Sequence, residues 1–171
     1  WSSDVCSSDL SSMFYVVSYV LTTLGTFGLI LYLSSEGFES EEISDLAGLG
    51  QRAPWLAAVM AVFMLSLAGI PPFVGFYAKL AILQALITTN LTGNLILALV
   101  AVLFSLVGAF YYLRLIKVMF FDSSNQAALA ARSSGIGSVL ALNGAAILFF
   151  GIMPDGLMSL CREAVIKALS S

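Results

Sequence analysis

Ser66-Leu67-Ala68-Gly69-Ile70-Pro71-Pro72-Phe73-Val74-Gly75-Phe76-Tyr77-Ala78-Lys79-Leu80 lies inside an apolar run, 54–89, whose only charge is Lys79. One straight helix over that run would reach about 54 Å, far more than the ~30 Å hydrocarbon core of a bilayer. Pro71 and Pro72 lack backbone N–H groups, so the carbonyls of Leu67 and Ala68 lose their helical donors. Proline also pushes the residue before it out of the α region. The spacing predicts two half-helices, 54–69 and 73–89, joined by a break around Gly69, Pro71, Pro72 and Gly75. The alternative is two complete spans meeting in a tight turn at the prolines. Halves of 16 and 17 residues are short for that reading.

The flanks supply three ordinary spans of about membrane length. Met13 to Leu33 carries no charge, Leu95 to Phe121 is charged only at Arg114 and Lys117, and Gly135 to Met153 is stopped by Pro154. The fold class expected is all-α: a polytopic transmembrane bundle of four spans, at 13–33, 54–89 (broken), 95–121 and 135–153. Composition agrees, with 60% apolar residues, 10% charged residues and a mean hydropathy of +1.00. A soluble domain carries about 25% charged residues. The stretch 34–52 holds Glu36, Glu39, Glu41, Glu42 and Asp45 and reads as a solvated acidic connection. Thr89–Gly93 is short and uncharged, and 122–134 is polar with Arg132.

The net charge of −3 and the absence of a basic run argue against a nucleic-acid partner. The chain has no histidine and two cysteines, Cys6 and Cys161, too few for a metal or iron–sulfur site of the usual ligand count. No cofactor or metal is therefore expected in this chain, and any link to electron transfer must run through partners.

Lys79 is the residue on which chemistry is expected. It lies about 15 Å from the end of its half-helix, near the bilayer midplane. A charged lysine at that depth costs roughly 2.5–3.5 kcal/mol on insertion scales, and such residues face a bundle interior or a water-filled cavity. The proton affinity of lysine responds strongly to burial, which suits proton exchange. The bland alternative is a snorkelling lysine whose stem reaches an interface. Irregular backbone at membrane depth persists where protein or water satisfies it, and broken helices recur at ion sites in transporters. Gly75 and Lys79 follow the break within two turns, so water drawn to the freed carbonyls is expected to hydrate the amine.

Other polar positions read as structural. Arg114 and Lys117 are interfacial anchors beside an aromatic belt of Tyr111, Tyr112, Phe120 and Phe121. Gly25 and Gly28 form a close-packing seam, and Ser138 and Asn143 suit bonds between helices. Arg52, Arg114, Lys117 and Arg132 fall on one side of four spans, and Arg162 and Lys167 on the other. By the positive-inside bias the larger group faces the cytoplasm, and the C-terminus the periplasm.

The opening Trp1-Ser2-Ser3-Asp4-Val5-Cys6-Ser7-Ser8-Asp9-Leu10 differs from everything after it. It contains the near-repeat SSDV and SSDL, and VCSSDL resembles the translated read-through of a sequencing adaptor. Residues 1–10 are expected to be non-native and to pack against nothing, and 11–171 to be a C-terminal transmembrane domain whose native chain begins earlier.

The motif Ser66–Leu80 resembles the broken helix of the antiporter-like subunits of respiratory NADH–quinone oxidoreductase (complex I). Gly75-Phe76-Tyr77-Ala78-Lys79 is similar to the subunit N version; subunit M carries a glutamate near this place and subunit L a different flanking pattern. Tyr19 with Leu24-Gly25, Gly48-Leu49-Gly50-Gln51-Arg52-Ala53-Pro54, and Tyr111-Tyr112-Leu113-Arg114 also resemble subunit N. The likeness covers nearly everything after the opening residues. It implies a C-terminal fragment, the last four of fourteen spans, with the family's broken-helix lysine falling on Lys79. The first inverted repeat, with its glutamate and two further lysines, is absent.

The resemblance implies proton translocation coupled to quinone reduction by NADH. Lys79 would be the relay, in a bacterial inner membrane. NADH, FMN, iron–sulfur clusters and quinone would sit in partner subunits. The expected partners are the other membrane-arm subunits, of M and K types, and lipid. Two rival readings stand beside it: a subunit of a multisubunit cation/proton antiporter, and a purely structural membrane subunit.

Overall fold

The computed structural model describes residues 2–35, 43–88, 92–123 and 135–169. In chain order these form α1 (Ser2–Ser35), a 3-10 turn (Ile43–Leu46), α2 (Leu49–Arg52), α3 (Pro54–Ala68), α4 (Val74–Thr88), α5 (Thr92–Phe121), α6 (Gly135–Ile152) and α7 (Pro154–Leu169). Every regular element among the described residues is helical. Asp9–Ser34, Thr92–Phe121 and Gly135–Ile152 are each long and apolar enough to cross a membrane, while α3 and α4 are shorter apolar helices.

Three positions along α5 decide how α3 and α4 are laid out. The Gly48 N–H points to the Val118 carbonyl, and Gly50 sits against Met119 and Phe120, so the approach to α3 lies at the C-terminal end of α5. Lys79 bonds to Ser105, near the middle of α5. The end of α4, Thr88, is followed within four residues by the start of α5, Thr92. The two halves thus follow α5 antiparallel from one end to the other and make one interrupted span. Two complete spans would have returned the chain to its starting side at the prolines.

Small and polar residues set the depth of packing. A Cβ on Gly25 would lie 2.6 Å from Asn143 Nδ2 and as close to the Phe63 ring, and one on Gly28 would lie 3.1 Å from Leu140. The glycine seam of α1 is therefore real, and it seats α1 against α3 and α6. Asn143 Nδ2 donates to the Leu21 carbonyl across the α6–α1 contact at 3.0 Å. Ser138 is exposed instead. The large buried side chains Phe14, Leu29, Leu33, Met60 and Phe63 form the core between α1 and α3.

Three expectations change. First, the acidic connection is more than a solvated loop. Residues 36–42 lie outside the described residues, but Leu46 and Leu49 are buried, in the 3-10 turn and α2. Apolar residues at those two positions anchor the connection beneath the end of α5. Second, Met153–Pro154 ends a span but also begins α7, because proline suits the first turn of a helix as well as it stops the preceding one. Leu157, Cys161 and Val165 are buried at four-residue spacing, giving α7 one packed face and leaving Arg162 and Lys167 exposed on the other. Third, α1 runs unbroken from Ser2, and Leu10 packs partly buried against the core, so Leu10 does not match the expectation of an unpacked opening. Most of the polar stretch 122–134, with Arg132, lies outside the described residues.

Candidate functional site

The site begins with how α3 ends. Gly69 has φ 79°, ψ 40°, in the left-handed region where glycine carries no Cβ penalty. The Ile70 N–H bonds to the Leu65 carbonyl at 3.1 Å, and the Gly69 N–H to the Ser66 carbonyl at 3.0 Å. This is a Schellman cap, and it satisfies the carbonyls of Leu65 and Ser66. The next two donors along the chain would be those of positions 71 and 72, and both are proline. The carbonyls of Leu67 and Ala68 are left for another partner.

Lys79 supplies it. Its Nζ donates to the Leu67 carbonyl at 2.8 Å, to the Ala68 carbonyl at 3.1 Å and to Ser105 Oγ at 2.9 Å. An ammonium has three N–H donors, and all three are used. Charge and backbone agree, because the C-terminal end of a helix carries partial negative charge and favours a cation. The sequence pointed to water between the break and the amine. The structure brings the amine into direct contact with both freed carbonyls, since the four-carbon stem reaches back across one turn of α4.

The remaining residues of the break make that contact possible. A Cβ on Gly69 would lie 2.9 Å from Lys79 Cδ and 3.1 Å from its Nζ, so Gly69 serves both the left-handed turn and the lysine's path. A Cβ on Gly75 would overlap the Ser66 carbonyl, so Gly75 lets the start of α4 close onto the end of α3. Pro71 and Pro72 lie exposed on the turn itself. On α6, a Cβ on Gly151 would overlap the Pro72 carbonyl, so α6 packs backbone to backbone against the break.

A second polar layer lies behind it. Ser18, Thr22 and Thr26 occupy one face of α1 at four-residue spacing, and each hydroxyl donates to the carbonyl four residues back. Thr22 Oγ1 is 3.3 Å from Ser66 Oγ. Because the Thr22 proton is directed to Ser18, the Ser66 hydroxyl donates to Thr22 and accepts from the Gly75 N–H at 3.3 Å.

Depth follows from three helices. Ser105 stands 13 residues from Thr92 and 16 from Phe121, about 20 Å and 24 Å along α5. Thr22 stands 13 and 12 residues from the ends of the span Asp9–Ser34, and Lys79 nine residues, about 14 Å, from Thr88. The layer of Thr22, Ser66, Lys79 and Ser105 therefore lies near mid-depth. Arg114 and Lys117 are exposed near the end of α5, where Lys117 pairs with Asp122 at 3.6 Å, as befits an anchor.

Sequence reading reached Lys79, Gly69, Pro71, Pro72 and Gly75, and the structure brings all five together. It missed Ser105, Gly151 and the Thr22–Ser66 contact. Ser105 had a signal: with Gly108 it interrupts an otherwise apolar run, 95–110.

Residues 5–105 match the family model described as NADH:quinone oxidoreductase/Mrp antiporter, TM. Two similar relatives are named NADH-quinone oxidoreductase subunit N. That of Herminiimonas arsenicoxydans is 55% identical over 161 residues, covering 94% of this chain and 32% of its own length. That of Cupriavidus taiwanensis is 53% identical with the same coverage. This chain thus spans about a third of the curated relatives it matches. A chain in the solved structure of respiratory complex I from Thermus thermophilus with bound aureothin superposes with a TM-score of 0.68 at 27% identity, over 88% of this chain and 34% of that one. With more than half its residues inside the family model and a broken helix at the matched motif, the chain belongs to the NADH:quinone oxidoreductase/Mrp antiporter transmembrane family.

Proposed function

We propose that this chain is part of a proton-translocating membrane-arm subunit of an NADH–quinone oxidoreductase, with Lys79 as its proton relay. The observation that carries the reading is the hold on Lys79: a cation near mid-depth, gripped by the two carbonyls that the break releases. A snorkelling anchor would direct its amine to an interface; this one turns inward to backbone acceptors. The relatives favour the oxidoreductase over a cation/proton antiporter, since those described above carry the oxidoreductase name.

In this mechanism the ammonium is stable while the end of α3 faces it. A positive charge arriving beside it raises the cost of the charged form, and the proton leaves. Withdrawal of that charge allows reprotonation. Reduction of quinone by NADH, through FMN and iron–sulfur clusters in partner subunits, drives the neighbouring charges. Subunits of M and K types are the expected neighbours in a bacterial inner membrane, with α7 and the C-terminus on the periplasmic side.

The test replaces Lys79 in the complete subunit of an assembled complex. Lys79→Met removes the amine at no insertion cost and should leave assembly intact. Proton translocation in inverted vesicles, and the quinone reduction coupled to it, should fall several-fold. Lys79→Arg should fall as well, because guanidinium keeps its proton. Full pumping by an assembled Lys79→Met complex refutes the relay.

A further inference from the structure

We propose that Ser105 is the proton-transfer partner of Lys79, the group through which its proton enters and leaves. The inference rests on the relay reading of Lys79. Of the three acceptors around the ammonium, the carbonyls of Leu67 and Ala68 have no proton to give, and Ser105 alone can both accept and donate. The difference matters once the amine is neutral. Two N–H bonds remain and keep the two carbonyls, while the third position becomes a lone pair that only a donor can satisfy. An acceptor-only partner there would leave two lone pairs facing each other, with an unsatisfied polar group at membrane depth.

The transfer balances through the hydroxyl. The N–H bond directed at Ser105 breaks, and its electron pair stays on nitrogen. A new O–H bond forms at Oγ as the original hydroxyl proton passes to a water molecule, which becomes hydronium. Ser105 ends as a neutral hydroxyl whose proton already points at the new lone pair. Rotation about the Cβ–Oγ bond, or the reverse transfer, resets it. No backbone movement is required, and both charge states of Lys79 are fully bonded. Both residues are only partly buried, and the proposal places the accepting water on this side of the pair.

The test uses Ser105→Ala, Ser105→Thr and Ser105→Val in the complete, assembled complex, with Lys79→Met in parallel. Native gels report assembly, and inverted vesicles report proton translocation. Ser105→Ala should lower translocation several-fold, and no further than Lys79→Met does. Ser105→Thr keeps the hydroxyl and should restore most of it despite the added methyl. A packing role predicts the opposite order, with the smaller alanine tolerated and threonine worst. Should the alanine variant fail to assemble, Ser105→Val, which has the shape of threonine without its hydroxyl, stands in its place and should also be impaired. Wild-type pumping by Ser105→Ala or Ser105→Val beside a defective Lys79→Met overturns the role of Ser105 alone. Defective pumping by an assembled Ser105→Thr complex also overturns it. Full pumping by Lys79→Met overturns the relay itself, and this inference with it.

Discussion

The broken span and α5 lie side by side and solve the same problem in opposite ways. The helix α5 runs 30 residues without interruption, satisfies its backbone internally and leaves most of its surface exposed. Along α3 and α4 the chain stops near mid-depth, caps one half with Gly69, and hands two carbonyls to a side chain. A continuous helix has no acceptors to offer a cation. A broken one does, but only if the chain can close around it, and that closure depends on residues with no side chain at all. The contrast teaches where sequence tolerance should be lowest: at the glycines of the break and of its neighbour α6, rather than along α5.

The strongest way to test that contrast is to add one methyl group. Gly75→Ala and Gly151→Ala each place a Cβ into a backbone carbonyl, that of Ser66 or Pro72. Neither carbonyl can rotate away like a flexible side chain. Overpacking of this kind costs about 1–3 kcal/mol or more, so assembly on native gels should drop sharply for both. Gly69→Ala should come next. Its left-handed turn costs roughly 1–2 kcal/mol for a residue with a Cβ, and the new methyl also presses on the stem of Lys79. Thermal stability should fall moderately, and, on the proposed relay role of Lys79, proton translocation by the complete subunit should fall further than stability alone explains.

Smaller effects sharpen the comparison. Thr22→Val removes the contact with Ser66 while keeping the shape of the side chain. Interhelical hydrogen bonds in membranes average about 0.6 kcal/mol, so the melting temperature should shift by only a degree or two. Gly108→Ala on α5 is the control. Its nearest neighbour would be Tyr112 at 3.7 Å, an ordinary contact, and alanine is the better helix former. Stability measured in detergent should be unchanged or slightly raised. Loss of assembly in Gly108→Ala, or normal assembly in Gly75→Ala, would break the distinction between the two regions.

Much of this was legible because the bilayer restricts what a chain can do. Apolar run length alone located the spans, and two consecutive prolines identified which carbonyls would be free. Those same carbonyls, of Leu67 and Ala68, are the ones that hold Lys79. The limits of legibility are equally specific. Proline 154 carried two meanings, stop and start, and the four-residue stripe Leu157, Cys161 and Val165 that resolves them is too short and too weakly apolar to read as a span. The buried Leu46 and Leu49 were masked by the acidic residues around them.

The sequence by itself determined the solvent, the number of crossings, the place of the break and the identity of its cation. All of these follow from local chemistry: hydropathy, missing backbone donors, and the cost of a charge in hydrocarbon. Only the tertiary structure decided what the cation touches. Ser105 is 26 residues from Lys79 and Gly151 is 79 from Pro72, and no local rule couples them. Their meeting depends on helices brought to the same depth by close packing at glycine, and depth relative to a neighbour is a property of the assembled bundle.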